Sequence, residues 1–196
     1  MPKIPARAKP AREAFFPRVS PLAGVAIQGR FGAGRGQPGV EFRVCHPLSI
    51  ITVIARKGKA RAVAEALATL KGASAQWAGP EQYFVLAEGR GEGALYAQVK
   101  ALLGAEASVS DQSHGRAVIR IAGPKARNVL AKGTPVDLYP DEFPVGRSAL
   151  TQMAHVGVHI TRVADDAYDL SVFRGFGESF WEWITEQAEE FGYQVL

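Results

Sequence analysis

The sequence predicts an α+β fold, two tandem β-α-β-β-α-β units behind an extended N-terminal tail. Three observations carry this. The same order of elements occurs twice beyond Glu41, and GPKARNVLAK (123–132) echoes GKARAVAEAL (58–67) in residues as well as in position. The third is that residues 1–40, rich in Pro, Gly and Arg, lack the periodic apolar surface that would offset the entropy of ordering them. The expected boundaries are 1–40 for an extended or disordered basic tail, 41–110 for the first unit and 111–196 for the second.

The elements follow in order. Within the tail, PLAGVAIQG is the one stretch with the makings of a short ordered piece. LSIITVIA (48–55) is a near-continuous apolar strand, and residues 58–71 carry helical spacing at Ala62, Val63, Ala66, Leu67 and Leu70. A short strand at Ala75–Trp77, the turn AGPEQ and the strand YFVLA (83–87) come next. GALYAQVKALLG is a helix ending at Gly104, and Ala107–Ser110 closes the unit. In the second unit GRAVIRIAG is a strand flanked on both faces and 123–132 a helix. Residues 133–148, with Pro135, Pro140 and Pro144, form a Pro-rich crossing inserted into the second copy. ALTQMAHVGVHITRV and AYDLSVFR then pair across Ala164-Asp165-Asp166, followed by a helix over 179–191 and the edge strand GYQVL.

Composition narrows the function classes. At 196 residues, 47% of them apolar, the chain is long enough to bury a core without staples. One cysteine, Cys45, permits no internal disulfide and no Cys-x-x-Cys site, which fits a reducing, cytoplasmic setting. Neither a secretory signal nor an apolar run of membrane-spanning length is expected. The net charge of +4 is unevenly placed. Residues 1–40 hold seven Lys and Arg against Glu13 alone, leaving 16 basic and 18 acidic residues in the other 156. A slightly acidic body lacks the basic face that nucleic acid requires, so no nucleic acid and no membrane is expected as a partner.

Candidate chemistry is sparse. GAGRG (32–36) has neither the preceding strand nor the following helix of a phosphate loop and reads as a linker. His155 and His159 in MAHVGVHI alternate with Val156, Val158 and Ile160, so they lie on the polar face of a strand that is exposed or meets another surface, and no third metal ligand is signalled nearby. Cys45 and His46, adjacent in extended chain, point apart and are poorly placed as a thiolate and base. His114 with Ser113 and Asp111 reads as turn chemistry, Asp165 and Asp166 as a hairpin turn, and Asp169 with Ser171 as a solvated strand face. Arg174-Gly-Phe-Gly fits either an anion cradle or simple helix entry. These readings assign no catalytic, cofactor-binding or metal-binding residue.

The last helix is the exception to this plainness. Ser179 and Glu182 make an S-x-x-E capping box, which predicts a helix beginning there. Phe180, Trp181, Ile184, Ala188 and Phe191 form one apolar stripe, and adding Trp183 widens it to about 160°, beyond the roughly 100° needed to cover a sheet. The extra indole is available to a second surface, since Trp is enriched at interface anchors, or to the edge of the chain's own core. The sequence leaves both open.

SDQSHGRAVIRIAGPKARNVLAKGTPVDLYPDEFPVGRSALTQMAHV and YDLSVFRGFGESFWEWITEQAEEFG together resemble the gamma family of heterotetrameric sarcosine oxidases. The resemblance covers 108–193, with weaker support from SPLAG, the first strand and helix, and WAGPEQYFVLA; the basic tail departs from it. It implies two ferredoxin-like units, as in the aminomethyltransferase and folate-binding fold group. It also implies a cytoplasmic complex with alpha, beta and delta subunits that carry FAD, covalent FMN, NAD, zinc and the tetrahydrofolate site. The gamma chain itself would contribute no catalytic residue to oxidative demethylation of sarcosine or a related N-methyl amino acid. On this reading Trp183, His155 and His159 would meet neighbouring subunits. The alternative is a stand-alone folate-binding or aminomethyl-transfer module, which would need a carboxylate buried in a pocket; Asp111 and Asp169 are the candidates and read as turn and surface residues.

Overall fold

The computed structural model describes residues 18–33 and 36–196. The tail expected over 1–40 therefore lies outside the described residues at 1–17, 34 and 35. Its remaining part is anchored: Leu22 is fully buried in the main core, and β1 (Gly29–Phe31) and β2 (Val40–Val44) are strands.

The first unit comprises β3 (Leu48–Ala55), α1 (Ala60–Ala68), β4 (Ser74–Gly79), β5 (Gln82–Glu88), α2 (Ala94–Leu103) and β6 (Ala107–Asp111). Its sheet runs β4-β5-β3-β6 with every pairing antiparallel, the ferredoxin-like order. The helices form where apolar residues recur one turn apart: Val63 and Leu67 on α1, and Leu95, Val99 and Leu103 on α2, all buried against Ile51, Val53 and Val85.

The second unit comprises β7 (Arg116–Ala122), α3 (Ala126–Ala131), β8 (Ser148–Met153), β9 (Val156–Ala164), β10 (Ala167–Phe173), α4 (Gly177–Ala188) and β11 (Tyr193–Val195). The same ferredoxin-like frame is present, widened to the order β1-β11-β2-β7-β10-β9-β8. Strand β2 lies between β7 and β11, antiparallel to the first and parallel to the second. Thus Val40, expected in the tail, and residues 41–44, expected at the start of the first unit, belong to the second sheet, where Val40 and Phe42 are fully buried. The Pro-rich crossing is pinned by buried Leu138 and Phe143 and delivers β8 to the other edge.

Two local expectations change. MAHVGVHI is not one strand: β8 and β9 form a hairpin turning at Ala154 (φ 50°) and His155 (φ 65°), the left-handed pair of a two-residue turn. Helix α4 starts at Gly177, directly after a 3₁₀ turn over Arg174–Phe176. Ser179 therefore falls inside the first turn, where its hydroxyl donates back to the Phe176 carbonyl at 3.3 Å and caps no backbone N–H.

The result is four layers. Helices α1 and α2 cover the outer face of the small sheet, α3 and α4 cover the outer face of the large one, and the two inner faces meet. Leu48, Ile50, Phe84 and Leu86 from the small sheet and Val118 from the large one form a third apolar cluster in this seam. No helix among the described residues is long and apolar enough to cross a membrane.

Candidate functional site

Polar chemistry concentrates in the seam between the sheets because β7, β9 and β10 alternate strictly. Their outer residues (Ile119, Ile121, Ile160, Leu170, Val172) enter the main core, so every second side chain faces the small sheet. Register then builds rows across the strands: Arg116 opposite Phe173, Val118 opposite Ser171 and His159, Arg120 opposite Asp169 and Thr161.

Arg120 grips Asp169 bidentately, Nε to Oδ1 at 2.6 Å and Nη2 to Oδ2 at 2.8 Å, with the carboxylate side chain only 9% exposed. The hydrogen bonds to Asp169 hold the Arg120 guanidinium protonated beyond its ordinary range, against the opposing effect of burial. Two cavities flank the pair. One, of about 200 Å³, is lined by Cys45, Leu86, Glu88 and the pair itself; the other, of about 310 Å³, by Gln76, Val145, Thr161 and Arg162 beside the pair. Burial, with the nearby Asp169 charge, pushes the Cys45 thiol up to about 11, so it is protonated and a weak nucleophile at neutral pH.

His159 is sealed in the seam at 2% exposure. Its Nε2 donates to the Trp77 carbonyl at 2.8 Å, and its ring meets Phe84 edge to face at 4.9 Å. Burial, and then the Arg116 charge, hold its pKa below the ordinary histidine value. The expectation that His159 meets a neighbouring subunit is corrected accordingly: the polar face of β9 is covered by the chain's own first unit. Beside it the Thr161 hydroxyl donates to Gln76 Oε1 at 3.1 Å and lies 2.8 Å from the Ser148 hydroxyl. His155, in the hairpin turn, is exposed and shares no face with His159.

Trp183 is half-buried, stacked on Phe180 with centroids 5.9 Å apart and packed against the main core. A Cβ built at Gly133 would fall inside its indole, so the end of α3 covers the ring. Of the two surfaces left open for this residue, the structure places it against its own core.

The other sequence candidates separate. The Asp111 carboxylate accepts from the Ser113 backbone N–H at 2.8 Å as a turn, and the Ser113 hydroxyl accepts from the Ile50 N–H at 3.0 Å. His114 meets the exposed Glu92 at 3.0 Å, and Arg18 together with His114 holds that carboxyl below its ordinary value. His46 donates to the Arg18 carbonyl at 3.0 Å, apart from Cys45. Asp165 and Asp166 occupy the β9–β10 turn. Asp169, expected on a solvated face, is instead the buried partner of Arg120. Sequence reasoning missed that pair and Arg116. The signal was the spacing Arg116-x-Val118-x-Arg120, one face of β7 with two cations, set against Asp169 on β10. No group of three or more His, Cys, Asp and Glu positioned for a metal occurs among the described residues.

Known proteins resemble this chain over most of that architecture. Residues 45–190 match the sarcosine oxidase, gamma subunit family (SoxG). The sarcosine oxidase subunit gamma of Corynebacterium sp. (strain U-96) is 32% identical over 135 residues, 68% of this chain and 65% of that protein. Its counterpart from Arthrobacter sp. is 31% identical over 134 residues, 68% and 66% of the two chains. The match thus spans just under two thirds of these relatives' length. Among solved structures, a chain of heterotetrameric sarcosine oxidase from Corynebacterium sp. U-96, in complex with pyrrole 2-carboxylate, superposes with a TM-score of 0.75 at 27% identity over 89% of this chain and 96% of that one. Glycine cleavage system aminomethyltransferase T from Bartonella henselae shares the fold, at a TM-score of 0.58 and 18% identity over 82% of this chain and 48% of that one. With the family matched across both ferredoxin-like units, the chain belongs to the sarcosine oxidase, gamma subunit family.

Proposed function

We propose that this chain is the gamma subunit of a heterotetrameric, flavin-dependent sarcosine oxidase in the cytoplasm, and that the bond chemistry resides in its partners. The reaction would be oxidative demethylation of sarcosine or a related N-methyl amino acid, with the one-carbon unit passed to tetrahydrofolate. FAD, FMN, NAD, zinc and tetrahydrofolate belong, on this reading, to alpha, beta and delta subunits. The observation that carries it is the superposition on one chain of a heterotetrameric sarcosine oxidase over nearly its whole length. The state of the seam supports the division of labour: Asp169 is neutralised by Arg120, the Cys45 thiol is protonated, and His159 is committed to a backbone carbonyl.

The seam, where the polar groups gather around Asp169, does not fit a pterin. A folate module needs a buried carboxylate free to bind the ring, whereas both oxygens of Asp169 are taken by Arg120, and the flanking cavities sit at or below the low end of ligand-pocket size, on the order of 300 Å³. A tagged chain expressed in its native cell should bring down larger chains with flavin absorbance, and the purified chain should show no saturable binding of folinate. Capture of no flavin-containing chain would sink the subunit reading, and tight folinate binding by the isolated chain would replace it with the module.

A further inference from the structure

One end of the seam is unfinished. Strand β10 runs out into Phe173-Arg174-Gly175-Phe176, where Phe173 is 52% and Phe176 53% exposed. Two large aromatic rings stand half in water within four residues. Beneath Phe173 lies Arg116, its cross-strand partner. Its guanidinium carbon is 4.4 Å from the Phe84 ring centroid and 4.5 Å from that of Phe173, so the cation is clasped by two aromatic faces. Its Nε is buried with no acceptor, and in the next row inward the Ser171 hydroxyl is also buried and unpartnered among the described residues. Among the described residues the Arg174 guanidinium reaches only the Val19 carbonyl, at 3.4 and 3.5 Å. Neither Arg116 nor Arg174 has an ion-pair partner among the described residues, whereas Arg120, on the same face of β7, is fully paired. A guanidinium already stripped of part of its water gains more from a carboxylate than a solvated one does.

We propose that Phe173, Arg174 and Phe176, with Arg116 under Phe173, form a docking surface for a partner subunit, and that the segment seated there presents a carboxylate to the two guanidinium groups. This rests on the subunit reading above and names the surface through which it operates. Charge complementarity selects the occupant. A second copy of this chain, meeting the patch by two-fold symmetry, would set Arg116 and Arg174 against themselves. An acidic segment instead satisfies both cations while its apolar flanks cover the two rings. Gly175 leaves room for that approach, because a Cβ added there would meet nothing within 4 Å.

The test uses the full chain with its co-expressed partners. Arg174→Glu and Phe176→Ser change exposed side chains and should leave the melting temperature within about 2 °C of wild type. Each should weaken capture of the flavin-containing chains by about tenfold or more. In the Arg174→Lys variant, carbodiimide coupling should join the introduced amine to an Asp or Glu of a partner. Wild-type capture with both variants binding within about twofold overturns the docking surface while leaving the subunit reading intact. Coupling confined to this chain's own carboxylates also overturns it. So does a dimer of the isolated chain that Arg174→Glu dissolves. Wild type capturing no flavin-containing chain removes both readings together.

Discussion

His159 and Asp169 show what a strand pattern conveys and what it withholds. Alternation states that His159 and Thr161 share one face of β9, and that Asp169 and Ser171 share one face of β10. It cannot state what lies above that face. Here it is a second sheet of the same chain, so residues that read as solvated or as facing a neighbouring surface are 2–7% exposed within the chain itself. The arrangement has consequences for stability. Burial holds His159 neutral in the folded chain, with its pKa below the ordinary value. Above about pH 6.5 the folded and unfolded chains are both neutral at this site and it adds no pH dependence. Below that, the unfolded chain takes up a proton that the folded chain resists, so stability falls as pH falls, by at most about 1.4 kcal/mol per pH unit. Urea unfolding at pH 7.5 and pH 5.5 checks this. Wild type should lose more stability between the two than His159→Gln, which keeps a donor for the Trp77 carbonyl but does not titrate. Equal losses in the two proteins would show that another group governs acid sensitivity.

At the scale of elements, α4 illustrates how a wide apolar arc is resolved internally. Phe180, Trp181, Ile184 and Ala188 are buried on the sheet side, while Trp183 leans over the end of α3 into a place that only a glycine leaves open. Gly133→Ala should push the indole off Phe180, at a cost of about 1–3 kcal/mol from overpacking, and should alter the near-ultraviolet circular dichroism of Trp183. An unchanged spectrum and midpoint would mean that the α3 terminus shifts freely. The legible elements were those with one clear period. The near-continuous apolar run of β3, broken only by Ser49 and Thr52, and the i, i+4 repeat of α2 are found where the pattern puts them. The hairpin at Ala154-His155 was hidden because its positive-φ residues are neither Gly nor Asn, the usual markers of such turns. Strand β2 was misplaced for a different reason. Its partners β7 and β11 lie far along the chain, and a five-residue VEFRV carries no local sign of which sheet will take it. The Arg120–Asp169 pair was legible only by half, since the sequence places two cations on one face of β7 but leaves their partner to the β7–β10 register.

For the whole molecule, the decisive feature is that the two ferredoxin-like units share a core. Leu48, Ile50, Phe84 and Leu86 are each at most 8% exposed, and it is the large sheet that closes over them. Covering four such side chains stabilises the chain by on the order of 6–12 kcal/mol as an upper estimate, comparable with the roughly 5–15 kcal/mol that holds a typical domain together. Neither unit should therefore be stable without the other, even though the first is continuous in sequence and has its own helix-covered core. Calorimetry of the full chain should show one cooperative transition. A fragment of residues 46–113 should self-associate and bind a hydrophobic dye through its uncovered face, in proportion to the apolar area lost. Phe84→Ala in the full chain should lower the single transition without splitting it, because the seam residues belong to both halves. Two separate transitions in the full chain, or a monomeric fragment that melts sharply by itself, would show that the units are joined in sequence but independent in energy.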